Sequence, residues 1–258
     1  MPLLFSKDVG SGSPLVFLHG FCDTHQVWDT FVAPLSASHR ILTPDLPGFG
    51  QSDLLQGMFG IDDVGNAIVR WIQEKQLEKP IIVGHSLGGY VALAVAALQP
   101  DLLAGICLFH STPYADSEER RKTRKKVMAF VRKNGVAPFV NTFVPGLFLD
   151  PGHPQMAATR QRAMTTSQDT LIGFSQAMSN RPDRIGMLLK SALPTLIIAG
   201  KADPIISAES LKKLAGMNKN CLFYELPGVA HMGIFEAEKQ CQDMISRFAT
   251  KVFFNKSI

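Results

Sequence analysis

Short, unbroken apolar runs alternate along this chain with segments of helical period, and few folds accommodate that alternation. Leu15 to Leu18, Ile41–Leu42, Ile81 to Val83, Leu103 to Phe109, Leu196 to Ala199 and Cys221 to Leu226 read as strands buried on both faces. Between them, Val27, Trp28, Phe31, Val32 and Leu35 mark one helix, and Val64, Ile68, Trp71 and Ile72 a second. A third, fully apolar, spans Tyr90 to Leu98 and stops before Pro100. A β-α-β succession of this kind predicts an α/β fold, with a mostly parallel central sheet covered by helices on both faces. The alternation fails between about Pro113 and Leu193, where the pattern is helical with breaks at Pro138, Pro145, Pro151 and Pro154. It resumes at Pro194. The expected organisation is one core in two stretches, residues 1–112 and 191–258, with a helical insertion at 113–190.

Composition narrows the class of function. With 46% hydrophobic and 19% charged residues in 258, the chain can bury a sizeable core, which excludes a disordered protein. No apolar run approaches the ~18 residues of a membrane span, so no membrane partner is expected. Met1 to Asp8 has no signal-peptide character, and the 4 cysteines (Cys22, Cys107, Cys221, Cys241) form no C-x-x-C pair. Free thiols in the cytoplasm are the expectation. The net charge of +4 is local: Arg120 to Lys133 holds 8 basic residues and no acid, while the remaining 18 basic residues face 22 acidic ones. Val127, Phe130 and Val131 recur there at helical spacing, so the charges read as the solvated face of a helix. Phe130 is the run's sole aromatic, and no nucleic-acid partner is expected. Nothing in the sequence marks an oligomer interface.

The chemistry gathers at three distant places. The strand Ile81 to Val83 runs through Gly84-His85-Ser86-Leu87-Gly88 directly into a helix. A nucleophile on so sharp a turn sits in a strained backbone conformation, and its neighbours two residues away must lack side chains. Such a turn lifts the Ser86 hydroxyl above the sheet and leaves the Leu87 N–H at a helix N-terminus, suited to a developing oxyanion. A serine needs a base, itself oriented by an acid. Asp203 follows the strand Leu196 to Ala199, and His231 follows the strand ending near Leu226, which puts both at the sheet edge where α/β proteins build sites. The Phe21 N–H, beyond the strand Leu15 to Leu18, is the second candidate oxyanion donor.

At these residues the chain resembles the α/β-hydrolase family, in its capped, serine-nucleophile branch. The matching motifs are His19-Gly20-Phe21, Asp45-Leu-Pro-Gly-Phe-Gly-Gln-Ser52, Gly84-His-Ser-Leu-Gly-Gly89, Gly200-Lys-Ala-Asp203 and Gly228-Val-Ala-His231, in the family's order. The resemblance implies catalytic Ser86, Asp203 and His231, an oxyanion hole from Phe21 and Leu87, no cofactor, and an esterase-like activity. It also implies that the insertion is a cap over the site, placed before the strand that precedes the acid. The hydroxyl at the elbow favours an acyl-enzyme over the alkyl-ester intermediate of the family's carboxylate-nucleophile members. His85 and Cys22-Asp23 differ from the pattern of ring-cleavage hydrolases.

Bland readings stand beside these. His19, His85 and His110 read as architectural; His25, His39 and His153 offer no pairing logic; Asp45 resembles a structural turn acid; Cys22 reads as a small packed residue. No metal-ligand spacing is present, and no metal is expected. The functional expectation is a serine hydrolase acting on a small-to-medium apolar ester, lactone or thioester. The alternatives are a small-molecule receptor with slow turnover, or a C–C hydrolase, lyase or cofactor-free peroxidase on the same three residues.

Overall fold

A computed structural model describes residues 2–254. Its sheet has 7 strands in the order β1-β3-β2-β4-β5-β6-β7. These are β1 (Ser6–Val9), β2 (Pro14–Leu18), β3 (Arg40–Pro44), β4 (Ile81–His85), β5 (Gly105–Phe109), β6 (Thr195–Gly200) and β7 (Cys221–Leu226). β1 pairs antiparallel with β3, and every other neighbouring pair is parallel.

The side-chain alternation of each strand divides the core in two. Val16, Leu18, Ile82, Ile106, Leu108 and Ile197 pack on one side against α1 (Ile61–Glu74), α2 (Leu87–Leu98) and α8 (Ala208–Ala215). Leu15, Phe17, Ile81, Val83, Cys107 and Ile198 pack on the other against Trp28, Phe31 and α10 (Glu238–Phe254). Burial on both faces explains why these strands are continuously apolar. Between β5 and β6 the chain forms α3 (Glu118–Asn134), α4 (Val136–Phe143), α5 (Met156–Met164), α6 (Gln168–Ser179) and α7 (Ile185–Lys190), with no strand among them. The short α9 (Gly233–Glu236) precedes α10.

Two local features differ from the sequence expectation. β1 is polar and largely exposed, so no apolar run announces it. The segment around Val27 to Leu35 buries the predicted apolar face but is no regular helix: it forms 3-10 turns at His25–Trp28 and Leu35–Ala37. Pro34, without an N–H, interrupts the ladder between them.

Candidate active site

Ser86 joins β4 to α2 with φ +50° and ψ −111°, a conformation that side chains rarely adopt. The glycines around it are required by close approach. A Cβ on Gly84 would collide with the Gly88 carbonyl, and one on Gly88 with the Leu18 carbonyl of the neighbouring strand. The turn is pinned from outside: the Ser86 N–H donates to the Phe109 carbonyl at 3.0 Å, and the Ser111 hydroxyl donates to the Ser86 carbonyl at 2.7 Å.

The three residues singled out from the sequence meet here, although 117 positions separate Ser86 from Asp203. His231 Nε2 lies 2.9 Å from Ser86 Oγ, and His231 Nδ1 lies 2.8 Å from Asp203 Oδ2. His231 is itself anchored, its N–H donating to the Leu147 carbonyl at 3.0 Å. Asp203 Oδ1 accepts from the N–H groups of Ile205 and Ile206 at 2.8 and 3.0 Å. Burial alone would raise the Asp203 pKa, but the charge and hydrogen bonds of His231 and His110 hold it far below the usual carboxylate range. Asp203 is therefore an ionised acceptor that fixes the Nδ1–H tautomer of His231, leaving Nε2 to accept from the serine hydroxyl.

Ser86 and His231 open on a cavity of about 70 Å³. Its wall includes Phe21 and Cys22 from the loop after β2, Tyr90 from α2, and Arg124, Phe143, Leu147 and Met178 from the helical segment between β5 and β6. Leu87 is the first residue of α2, so its N–H has no carbonyl one turn earlier in the helix. The Phe21 ring packs edge-on to Phe49 and Phe143.

The remaining histidines explain how the loops hold their shape. His19 Nδ1 donates to the Gly20 carbonyl at 2.8 Å while Nε2 accepts from the Leu46 N–H at 3.0 Å, a pattern that needs the neutral ring. Burial lowers its pKa, in keeping with that state. Burial also takes His85 well below the usual value, and its Nε2 donates to the His231 carbonyl at 3.0 Å. His25 corrects the expectation of no partner: its N–H and Nδ1 reach Asp45 Oδ1 at 2.7 and 2.9 Å. No spacing signal links the two, because the contact joins separate loops. The Cys22 thiol is buried and raised above its ordinary value, which makes it an inert packing group.

His110, expected from the sequence as an architectural residue at a strand end, stands beside the site and makes a contact with Asp203 that no spacing announces. It lies directly after β5, fully buried with φ +49°, and its Nδ1 is 3.1 Å from the same Asp203 oxygen that His231 meets. His110, Asp203 and His231 also form a group whose potential metal-ligating atoms lie within 4.8 Å of one another. The two Nδ1 atoms already meet Asp203 Oδ2 by hydrogen bonds.

The fold defines a class of protein, and comparison with known proteins agrees. Residues 13–238 match the family model described as alpha/beta hydrolase fold, and the chain belongs to that family. It is 26% identical over 235 residues to a 2-(acetamidomethylene)succinate hydrolase of Mesorhizobium japonicum, covering 87% of this chain and 84% of that one. It is 28% identical over 251 residues to the dihydrolipoyllysine-residue acetyltransferase component of an acetoin cleaving system of Pseudomonas putida, covering 93% of this chain. It spans less than two-thirds of that relative, 64% of its length. Among solved structures, a thermophilic esterase from Thermogutta terrifontis superposes with a TM-score of 0.91 at 27% identity, over 96% of this chain and 93% of that one.

Proposed function

We propose that this chain is a serine hydrolase that cleaves a carboxylic ester, or a lactone or thioester, of small-to-medium size through an acyl-enzyme. The observation that carries this reading is the hydrogen-bonded line from Ser86 Oγ through His231 to an ionised Asp203, open to a cavity at its serine end. Ser86 Oγ attacks the carbonyl carbon as His231 Nε2 takes its proton. The oxyanion forms within reach of the Leu87 and Phe21 N–H groups. The carbon–oxygen bond to the alcohol then breaks, and His231 returns the proton to that leaving oxygen. Water repeats the sequence: His231 removes its proton, the oxygen attacks the acyl carbon, and Ser86 departs with a proton restored. Acid and alcohol are the products.

A cavity of about 70 Å³ favours a small acyl group, since an apolar cavity of roughly 150 Å³ is what benzene fills. Residues 113–190 act in this reading as a cap, supplying Phe143, Leu147 and Met178 to the cavity wall. The 4 cysteines are unpaired, which suits a cytoplasmic protein. No helix among the described residues is long and apolar enough to cross a membrane.

The test is direct. A fluorophosphonate probe should label Ser86 when the modified peptide is mapped, and Ser86→Ala should lower kcat on a short activated ester by about 10⁴-fold. Labelling elsewhere, or wild-type turnover by the variant, overturns the assignment.

A further inference from the structure

The basic run of α3 does not lie wholly in solvent. Arg121, Lys122, Lys125, Lys126, Arg132 and Lys133 are exposed, but Arg120 and Arg124, one turn apart, are partly buried. Ser117 caps this end of the helix, its hydroxyl accepting from the Arg120 N–H at 3.3 Å. Asp116, just before the cap, has a fully buried side chain and is the shared partner of two arginines. Arg124 Nε donates to its Oδ2, and Arg181 Nη1 to its Oδ1 at 2.6 Å. Burial works against ionisation of Asp116, yet the two guanidiniums outweigh it and keep the carboxyl below its usual pKa.

Two guanidiniums share the one buried carboxylate of Asp116, and they differ in what their remaining N–H groups meet. Arg181 is further committed to the carbonyls of Met178 and Tyr114, both at 2.8 Å, and lies over the Tyr90 ring at 4.0 Å. Arg120 Nη2 is committed to the Ile205 carbonyl at 2.6 Å. Arg124 gives only its Nε to a protein acceptor among the described residues, and its side chain is 19% exposed. The same side chain lines the cavity that contains Ser86 and His231. Asp23, also in the lining, is paired with Arg162 at 2.7 Å, so it leaves no free carboxylate for Arg124 to meet. A guanidinium on a cavity wall whose terminal N–H groups have no protein acceptor among the described residues is matched by a planar anion that accepts two of them at once.

We propose that this cavity takes esters bearing a second, ionised carboxylate, and that Arg124 is the residue that recognises it. The inference rests on the hydrolase reading and specifies its substrate class. An apolar ester would leave the Arg124 fork facing carbon, whereas a carboxylate satisfies it. Asp116 and Arg181 then act as the frame that holds the fork in place.

The experiment compares monoethyl succinate with ethyl levulinate, a neutral ester of nearly the same shape, by pH-stat at pH 7.5. The wild-type protein should show kcat/KM for the anionic ester about tenfold or more above the neutral one, with the preference shrinking in about 0.5 M NaCl. Arg124→Gln should collapse the ratio to about one, and Arg124→Lys, which keeps the charge but loses the fork, should leave it between the two. If Arg124→Gln fails to fold, the Lys variant and the wild-type ratio decide. Equal or inverted preference in the wild type, or a preference that survives loss of Arg124, overturns the proposal. Cleavage of phenyl acetate with neither test ester hydrolysed overturns it and leaves the hydrolase reading standing. Absence of phenyl acetate cleavage together with an unlabelled Ser86 defeats that reading and this proposal with it.

Discussion

His110 and His231 meet the same oxygen of Asp203, with Nδ1 atoms 3.1 and 2.8 Å from Oδ2. The carboxylate thus receives four donors in all, two imidazole N–H groups on one oxygen and the Ile205 and Ile206 N–H groups on the other. Burial lowers the His110 pKa, so the ring is a neutral donor whose Nε2 is left without a partner. It faces Gly233, where a Cβ would strike that nitrogen. An unsatisfied buried nitrogen costs roughly 1–3 kcal/mol.

His110 is therefore expected to act as a positioning residue. His110→Ala removes one donor from Asp203, concentrating the remaining negative charge on the His231 side. The kcat should fall by about tenfold with KM little altered. The pH dependence of kcat/KM should change as well, because the Asp203 carboxylate then faces His231 with one donor fewer. His110→Asn, whose amide can donate near the same place, should restore much of both. An unchanged pH profile in the alanine variant would reduce His110 to packing.

The buried histidines also set the acid side of stability. Folded-state pKa values of His19, His85 and His110 are lowered from 6.5 by burial. Their contribution is complete above the unfolded value and is lost as pH falls from 6.5 toward the lowered folded values, because only the unfolded chain takes up the protons. Each contributes a slope of up to about 1.4 kcal/mol per pH unit in that window. The lowered carboxyls of Asp203 and Asp116 add a second loss below their ordinary value of 3.8. Thermal unfolding followed between pH 7.5 and 5 should show Tm falling steadily below about 6.5. A flat Tm across that range would mean these rings are not held neutral.

The elbow makes a sharper demand. Gly88→Ala sets a methyl against the Leu18 carbonyl, a main-chain atom of β2 that has no rotamer to yield. The variant should lose about 1–3 kcal/mol of stability, as overpacked positions do, and should cleave esters far more slowly because Ser86 shifts with the turn. Chemical denaturation and a phenyl acetate assay check both halves. Wild-type values in each would show that the strand and helix are less tightly pressed than the geometry indicates.

Much of this was legible in the chain because the forces behind it are local or repetitive. β2, β4, β5 and β6 are buried on both faces, and continuous apolar runs follow from that alone. Ser86, Asp203 and His231 each follow a strand end, so the parallel sheet brings them to one edge. What escaped reading depends on contacts between segments that share no period. β1 is an exposed edge strand held by backbone pairing to β3, with nothing apolar to reveal it. His25 finds Asp45 across two loops, and His110 finds Asp203 across two strand ends. Arg124 was hidden inside a run of like residues. Composition describes that run's average as a wet face, whereas the helical rotation of α3 turns this one side chain to the cavity.

Leu147 gives a test of how the cavity sets acyl length. Its side chain is 6% exposed and lines the cavity, while its carbonyl separately accepts the His231 N–H. Truncation to alanine enlarges the acyl space without touching that main-chain bond. The wild-type protein, with about 70 Å³ available, should hydrolyse 4-nitrophenyl acetate and propionate well and the octanoate poorly. Leu147→Ala should move the optimum to longer chains, with kcat/KM for the hexanoate rising relative to the acetate by about tenfold, the scale of a few methylenes accommodated. The variant should also lose about 2–5 kcal/mol of stability if the space stays empty. An unaltered chain-length profile in a folded variant would place the acyl group elsewhere, on the side walled by Tyr90 and Met178.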